Sequence, residues 1–136
     1  MILIIGGMCQ GKHGFCRSKY PDAEVIEHYE ERIRDELKEG KDPVSEAEKW
    51  LNEISAVMEM DGTDSAIHLS MDTENRFKEQ KPRELVIIMN EVGSGVVPMD
   101  KDDREWRESV GRVSCLFAKR ADKVYRLFAG IPQRLK

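Results

Sequence analysis

Residues 6–13 read Gly-Gly-Met-Cys-Gln-Gly-Lys-His, directly after the branched apolar run Ile2-Leu3-Ile4-Ile5. Gly6, Gly11 and Lys12 stand at the spacing G-x-x-x-x-G-K, and the eighth position, usually Ser or Thr, is His13. The chemistry this spacing serves is phosphate binding. Glycines let the backbone turn tightly enough for successive N–H groups to point inward at phosphate oxygens. The N-terminus of the following helix adds its dipole, and Lys12 neutralises the outer phosphates. Gly6, Gly7, Met8, Cys9, Gln10, Gly11, Lys12 and His13 are therefore the candidate nucleotide-binding residues, with Lys12 also a candidate catalytic cation. The competing reading is a plain strand–turn–helix whose lysine is solvated. His13 departs from the pattern at one point of chemistry: the missing hydroxyl ordinarily ligates Mg²⁺, a hard cation that prefers oxygen to imidazole.

A second group of polar residues follows an apolar run at Leu85-Val86-Ile87-Ile88-Met89 and reads Asn90-Glu91-Val92-Gly93-Ser94-Gly95-Val96-Val97-Pro98. In open α/β sheets, ligands sit in the crevice beyond the carboxyl ends of strands. Glu91 would then face the same edge as the phosphate loop, as a general base or an outer-shell metal ligand. A surface carboxylate capping a turn is the alternative.

The elements that must position these residues are read from periodicity. Residues 2–5 predict a strand buried on both faces, and a helix from about Lys12 to Lys19 that stops before Pro21. Val25, Tyr29, Ile33 and Leu37 recur every four positions, which predicts an amphipathic helix from Val25 to Glu39, ended by Gly40. Asp42-Pro43 supplies an N-cap and a first-turn proline for a further helix, with Val44, Ala47, Leu51 and Ile54 on one face to about Val57. Within residues 58–81, Asp61-Gly62 predicts a turn, Ala66 to Leu69 a short strand and Asn75 to Gln80 a helix. Leu85 to Met89 is the second buried strand. Asp100 caps a helix running to about Ala121, with Trp106, Val110, Val113, Phe117 and Ala121 aligned, and Lys123 to Ala129 reads as a last strand before Gly130-Ile131-Pro132. The alternation predicts an α/β domain spanning residues 1–136, with helices on a mostly parallel sheet.

Composition narrows the partners. The 136 residues carry a net charge of -4, so the broad positive field of a nucleic-acid binder is missing and anionic substrates need a local site. No apolar stretch approaches the ~20 residues needed to span a bilayer. The N-terminus lacks the basic leader and long apolar run of a signal peptide. Cys9, Cys16 and Cys115 are odd in number without CxxC spacing, which reads as reduced thiols in a cytoplasmic protein, a Cys9–Cys16 redox pair being the alternative.

Three stretches carry a resemblance. Val86 to Pro98, Arg104 to Arg112 and Ala129-Gly130-Ile131-Pro132-Gln133-Arg134-Leu135-Lys136 resemble the adenosylcobinamide kinase/adenosylcobinamide-phosphate guanylyltransferase family. Its pattern, roughly TNEVGxGIVP, then FRDxxGRVN, then a terminal GIPxxLK or GIGxxIK, is met at most positions. The resemblance implies a P-loop, RecA-like three-layer sandwich, often trimeric. It implies ATP or GTP with Mg²⁺, and transfer of a γ-phosphate to the aminopropanol hydroxyl of adenosylcobinamide, a corrinoid. In bifunctional members a histidine then takes GMP from GTP and passes it to that phosphate. Carried over, Gly6 to Lys12 hold the nucleotide phosphates and Glu91 lies beside the active site.

The chain departs from that pattern at three places. His13 stands for Ser or Thr, and Ser114 replaces the asparagine after Gly111-Arg112-Val113. The histidine segment, roughly R-I-x-x-H before a tryptophan, is not matched: Arg32-Ile33 mimics its start, but Glu36 takes the histidine position and Trp50 lies too far on. The remaining histidines, His28 and His68, read as ordinary helix or strand residues. The expectation is a kinase without guanylyltransferase activity. The alternatives are a catalytically degenerate nucleotide- or corrinoid-binding relative, and a small-molecule kinase with another acceptor.

Overall fold

A computed structural model describes residues 1–59 and 84–136, giving the backbone alone at 58 and 59. Along the chain run β1 (Ile2–Gly6), α1 (Lys12–Lys19), β2 (Glu24–Glu27), α2 (Tyr29–Lys38), α3 (Pro43–Glu59), β3 (Leu85–Asn90), α4 (Lys101–Arg120), β4 (Lys123–Phe128) and β5 (Ile131–Arg134). The sheet order is β2-β3-β1-β4-β5. β1 runs parallel to both neighbours, with Gly6 opposite Asn90 of β3 and Leu127 of β4. β2 is parallel to β3, and β5 alone is antiparallel. β1 leads out to β2 on one side of the sheet while β4 lies on the other. That reversal opens a crevice at the carboxyl end of β1.

Strand residues alternate between two cores, as a pleat requires. Leu3, Leu85, Ile87, Met89 and Val124 face the side covered by α2, α3 and α4. Ile2, Ile4, Val86, Ile88, Tyr125 and Leu127 face α1, against Cys16 and Tyr20. The result is three layers, with a sheet buried on both faces, as the apolar runs at residues 2–5 and 85–89 led us to expect. On the larger side Tyr29 meets Phe117 edge-on at 4.8 Å and Trp50 at 5.3 Å, joining α2, α3 and α4 through one aromatic group.

Helix ends carry their own signals. α2 closes with Gly40 N–H donating to the Leu37 carbonyl (3.0 Å) and Lys41 N–H to that of Glu36 (2.9 Å), a Schellman pair. Asp42 accepts from the Ser45 N–H at the start of α3. Asp100 accepts from the Asp102 and Asp103 N–H groups at the start of α4. Among the described residues no helix is long and apolar enough to cross a membrane.

Two sequence expectations are corrected. The helix expected from Val25 begins at Tyr29, and residues 24–27 form β2 instead. Val25 and Tyr29 fit a four-residue period by chance of spacing; hydrogen bonding to the exposed edge of β3 decides the matter. β4 is not the last strand, because Ala129 and Gly130, both at positive φ, form a two-residue turn into β5. Pro132 hid this strand, yet it sits on an edge, opposite Leu127, where a missing N–H is tolerated. The turn expected at Asp61-Gly62, the strand at Ala66 to Leu69 and the helix at Asn75 to Gln80 lie outside the described residues.

Two stability predictions follow from these contacts. A Cβ on Gly6 would fall 2.6 Å from the Leu127 carbonyl oxygen, so Gly6→Ala must push β1 from β4. A loss of about 1–3 kcal/mol in urea unfolding is expected, the range for overpacking; wild-type stability would refute the close approach. Burial pushes the Glu36 carboxyl above its ordinary 4.5, outweighing its bond from Arg32. A raised folded value means Glu36 contributes most favourably below pH 4.5 and loses that contribution as pH rises through the folded value. Glu36→Gln should therefore raise Tm at pH 7, and the gain should shrink towards zero below pH 4.5 in thermal scans across that window.

Candidate active site at the carboxyl edge of the sheet

The loop between Gly6 and Lys12 sits at the crevice. The N–H groups of Met8, Cys9, Gln10 and Gly11 donate to no acceptor among the described residues. They lie ahead of the first turn of α1, the geometry in which backbone dipoles favour an anion. The loop is braced from behind. The Gln10 side-chain oxygen accepts from Ala129 N–H, and its carbonyl accepts from Gly130 N–H at 3.2 Å. Gln10, expected from sequence as a phosphate residue, thus also clamps the loop to the β4–β5 turn. Gly11 lies against this turn, a Cβ there meeting the Gly130 Cα at 3.4 Å, and its φ of +83° is one that L side chains rarely adopt.

Lys12 forms the floor. It is only 5% exposed, and its ammonium donates to the Gly6 carbonyl (3.1 Å), the Gly7 carbonyl (2.6 Å) and Asn90 Oδ1 (2.8 Å). All three ammonium hydrogens are used. Burial pulls its pKa down, against the opposing pull of the Glu30 carboxylate. Asn90 relays that carboxylate, donating from Nδ2 to Glu30 Oε1 (2.5 Å) and from its backbone N–H to Oε2 (3.2 Å). Glu30 is 3% exposed, and Trp106 Nε1 fixes its backbone by donating to the Glu30 carbonyl at 2.7 Å. One chain of contacts therefore runs from α4 through α2 and β3 to the lysine of the loop.

Glu91 lies at the same edge, its N–H on the Gly6 carbonyl at 2.9 Å. Its carboxylate is held by Arg126 of β4 through three contacts of 3.0–3.1 Å. The bends that follow are pinned from α4. Arg107 donates to the carbonyls of Gly93, Gly95 and Val96, and Arg104 to those of Pro98 and Met99. The carbonyls of Gly93, Gly95 and Pro98 thus have cationic partners on α4.

His13, in the first turn of α1, faces the end of β2. Its Nδ1 lies 3.6 Å from Glu27 Oε1, and its ring is 5.9 Å from that of His28. His28 is no helix-face residue: it caps α2 with φ +56° and places Nδ1 3.4 Å from Glu30 Oε1. A magnesium ion beside phosphates needs hard oxygen donors in near-octahedral array. Here position 13 presents imidazole, with one carboxylate and a second imidazole beside it, so a single hard oxygen ligand is on offer. The donors present do not fit that ion.

Of the residues singled out from sequence, the structure brings Gly6 to His13, Asn90 and Glu91 to one edge. Glu36 lies on α2, on Arg32 at 2.9 Å. Sequence reasoning missed Glu27, Glu30 and Arg126, and placed His28 on a helix. The signal for Glu27 and His28 was there, a Glu-His pair at the end of a short Val-Ile run. Glu30 and Arg126 gave none, because only sheet pairing brings them to Asn90 and Glu91. Cys9, Cys16 and Cys115 are free thiols; Cys16 is buried, which pushes its pKa up, and Cys9 is exposed.

A family model described as cobinamide kinase / cobinamide phosphate guanyltransferase matches residues 23–135. The match takes in Glu27 to Glu30, Asn90, Glu91 and Arg126, and begins after the phosphate loop. The bifunctional adenosylcobalamin biosynthesis protein CobU of Salmonella typhimurium is 38% identical over 55 residues, covering 40% of this chain and 30% of that protein. Its Escherichia coli K12 counterpart is 36% identical over 55 residues, with the same shares. The similarity thus spans under a third of either relative's length. With the family match running across most of the chain and an α/β sheet of the expected kind beneath it, the chain belongs to the cobinamide kinase / cobinamide phosphate guanyltransferase family.

Proposed function

We propose that the chain binds a nucleoside triphosphate on residues 6–13 and transfers its γ-phosphate to the hydroxyl of a cobinamide-type acceptor, without guanylyl transfer. The observation that carries this reading is the loop itself: N–H groups without acceptors among the described residues, over a buried lysine, at the crevice of a family-typical sheet. When phosphate arrives, Lys12 exchanges glycine carbonyls for phosphate oxygens, while Asn90 keeps the ammonium centred. Charge-assisted bonds of this kind are roughly twice as strong as neutral ones, which supports the exchange. In transfer, the bond from the γ-phosphorus to its bridging oxygen breaks and one to the acceptor oxygen forms. The nucleoside diphosphate leaves, and the hydroxyl proton goes to a base. Glu91 is the carboxylate in this reading that receives it, held in place by Arg126 until the acceptor is bound.

A second reading has one observation in its favour, the imidazole of His13 where a metal-binding hydroxyl is usual. In that reading the loop holds nucleotide, or the crevice holds corrinoid, without turnover. ATP consumption on adding adenosylcobinamide separates the two.

Lys12→Ala should lower ATP affinity in calorimetric titration by about 30-fold, equivalent to about 2 kcal/mol. Unchanged affinity in a folded variant would sink the phosphate-loop assignment. Guanylylation gives a second check. His13 and His28 lie outside the R-I-x-x-H segment of bifunctional members, in which Glu36 takes the histidine position. Incubation with GTP is expected to leave the intact mass unchanged. A protein heavier by one GMP on histidine would restore the second activity.

A further inference from the structure

The histidine that spoils the loop for magnesium has two companions. His13 comes from the first turn of α1, Glu27 from the end of β2 and His28 from the residue joining β2 to α2. One donor atom from each lies within 4.8 Å of the other two. The end of β2 and the first turn of α1 thus bring two imidazoles and a carboxylate together, from the residue after the loop lysine, the last residue of β2 and the one that follows it.

We propose that His13, Glu27 and His28 bind one divalent metal of borderline character, such as Zn²⁺ or Co²⁺. The site stands on these three side chains alone and goes beyond the nucleotide reading.

The donor set decides the class of ion. Imidazole suits zinc, cobalt and nickel, whereas magnesium and calcium take oxygen. Tetrahedral zinc with ligands at about 2.0–2.2 Å holds its donors roughly 3.3–3.6 Å apart. The His13 Nδ1 to Glu27 Oε1 separation is 3.6 Å, already within that span. The remaining gap closes by side-chain rotation, for which there is room: the three side chains are 38%, 43% and 51% exposed. The two rings approach edge to face, at 68°, so their nitrogens need not stack to share an ion.

The surroundings supply what metal-binding imidazoles ordinarily have. The second nitrogen of a ligating histidine is usually held by a carboxylate, which sets the tautomer. His28 Nδ1 lies 3.4 Å from Glu30 Oε1, and that carboxylate is nearly buried, leaving Nε2 for the ion. Three protein ligands with an exposed side match sites that keep a coordination position open. Glu30 also holds Asn90, and Asn90 holds Lys12. A cation here and the ammonium of Lys12 therefore share one carboxylate. With Glu27 as the only anionic ligand, the loaded site carries net positive charge beside the phosphate cradle.

The test is titration of the chelator-treated full chain with Co²⁺, without nucleotide, followed by its visible d–d absorption and by competition with Zn²⁺. One ion per chain is expected, with the intense visible band of low-coordinate cobalt, displaced stoichiometrically by Zn²⁺. His13→Ala and His28→Ala should each lower affinity by more than about 100-fold, beyond the loss of an outer-shell partner. Glu27→Gln should do the same while keeping the side chain's size. A spectrum that stays that of the aqueous ion would overturn the site, as would wild-type binding in both histidine variants. ATP titration in excess chelator reads the phosphate loop by itself, so failure of one reading is told apart from failure of the other.

Discussion

A buried ammonium needs more than one acceptor, and the arrangement of this edge follows from meeting that need at Lys12. Two acceptors are carbonyls of its own loop, which fixes the loop's curvature; the third is Asn90 on the neighbouring strand. The loop can thus keep its shape only while β1 and β3 stay in register, Gly6 opposite Asn90. Asn90 in turn needs an acceptor for its amide, and Glu30 provides one from the first turn of α2. Because Glu30 is nearly buried, its charge is compensated through the amide by Lys12, a separated pair rather than a direct one. An unpaired buried charge would be costly, so each member of this chain holds the next in place.

The same logic explains why the antiparallel β5 matters to a site formed by parallel strands. The β4–β5 turn supplies two N–H donors to Gln10, one to the side chain and one to the backbone. Both faces of the loop are then satisfied: Lys12 from within the sheet and Gln10 from the hairpin. The N–H groups of Met8 to Gly11 remain without an acceptor among the described residues. Such a row suits an anion with several oxygens, which is the ligand class we propose for it.

How much of this was legible in the sequence depends on whether a contact is local. The turn from β1 into α1, the caps at Asp42 and Asp100, the Gly40 terminus and the two apolar strands all rest on neighbours within a few residues, and they appear where periodicity and turn chemistry put them. β2 was misread because its four residues carry a pattern that a helix also tolerates, and only the edge of β3 chooses between them. β5 was missed because Pro132 looks like a strand breaker until an edge position is known. At this edge, Lys12 and Glu91 stood out through motif spacing, but Glu30 lies 60 residues from Asn90 and Arg126 lies 35 residues from Glu91, the residues they touch. No local rule reaches that far. His28 was misplaced together with β2, so the convergence of His13, Glu27 and His28 could not be seen until the strand was.

The substitution of imidazole for hydroxyl at residue 13 then takes on a different meaning. Taken as a lone change in an otherwise intact loop, it is a loss, since the donor for a hard cation is gone. Beside Glu27 and His28 it is an exchange of one donor set for another, because a single strand end brings both partners to it. Two other carboxylates of this edge are already engaged, Glu30 of α2 by Asn90 and Glu91, just past β3, by Arg126. Glu27 is the acidic residue left within reach, at 3.6 Å. The network that holds Lys12 and the group around His13 thus meet at one shared carboxylate. Glu30 holds Asn90 on one side and His28 on the other, and His28 faces His13.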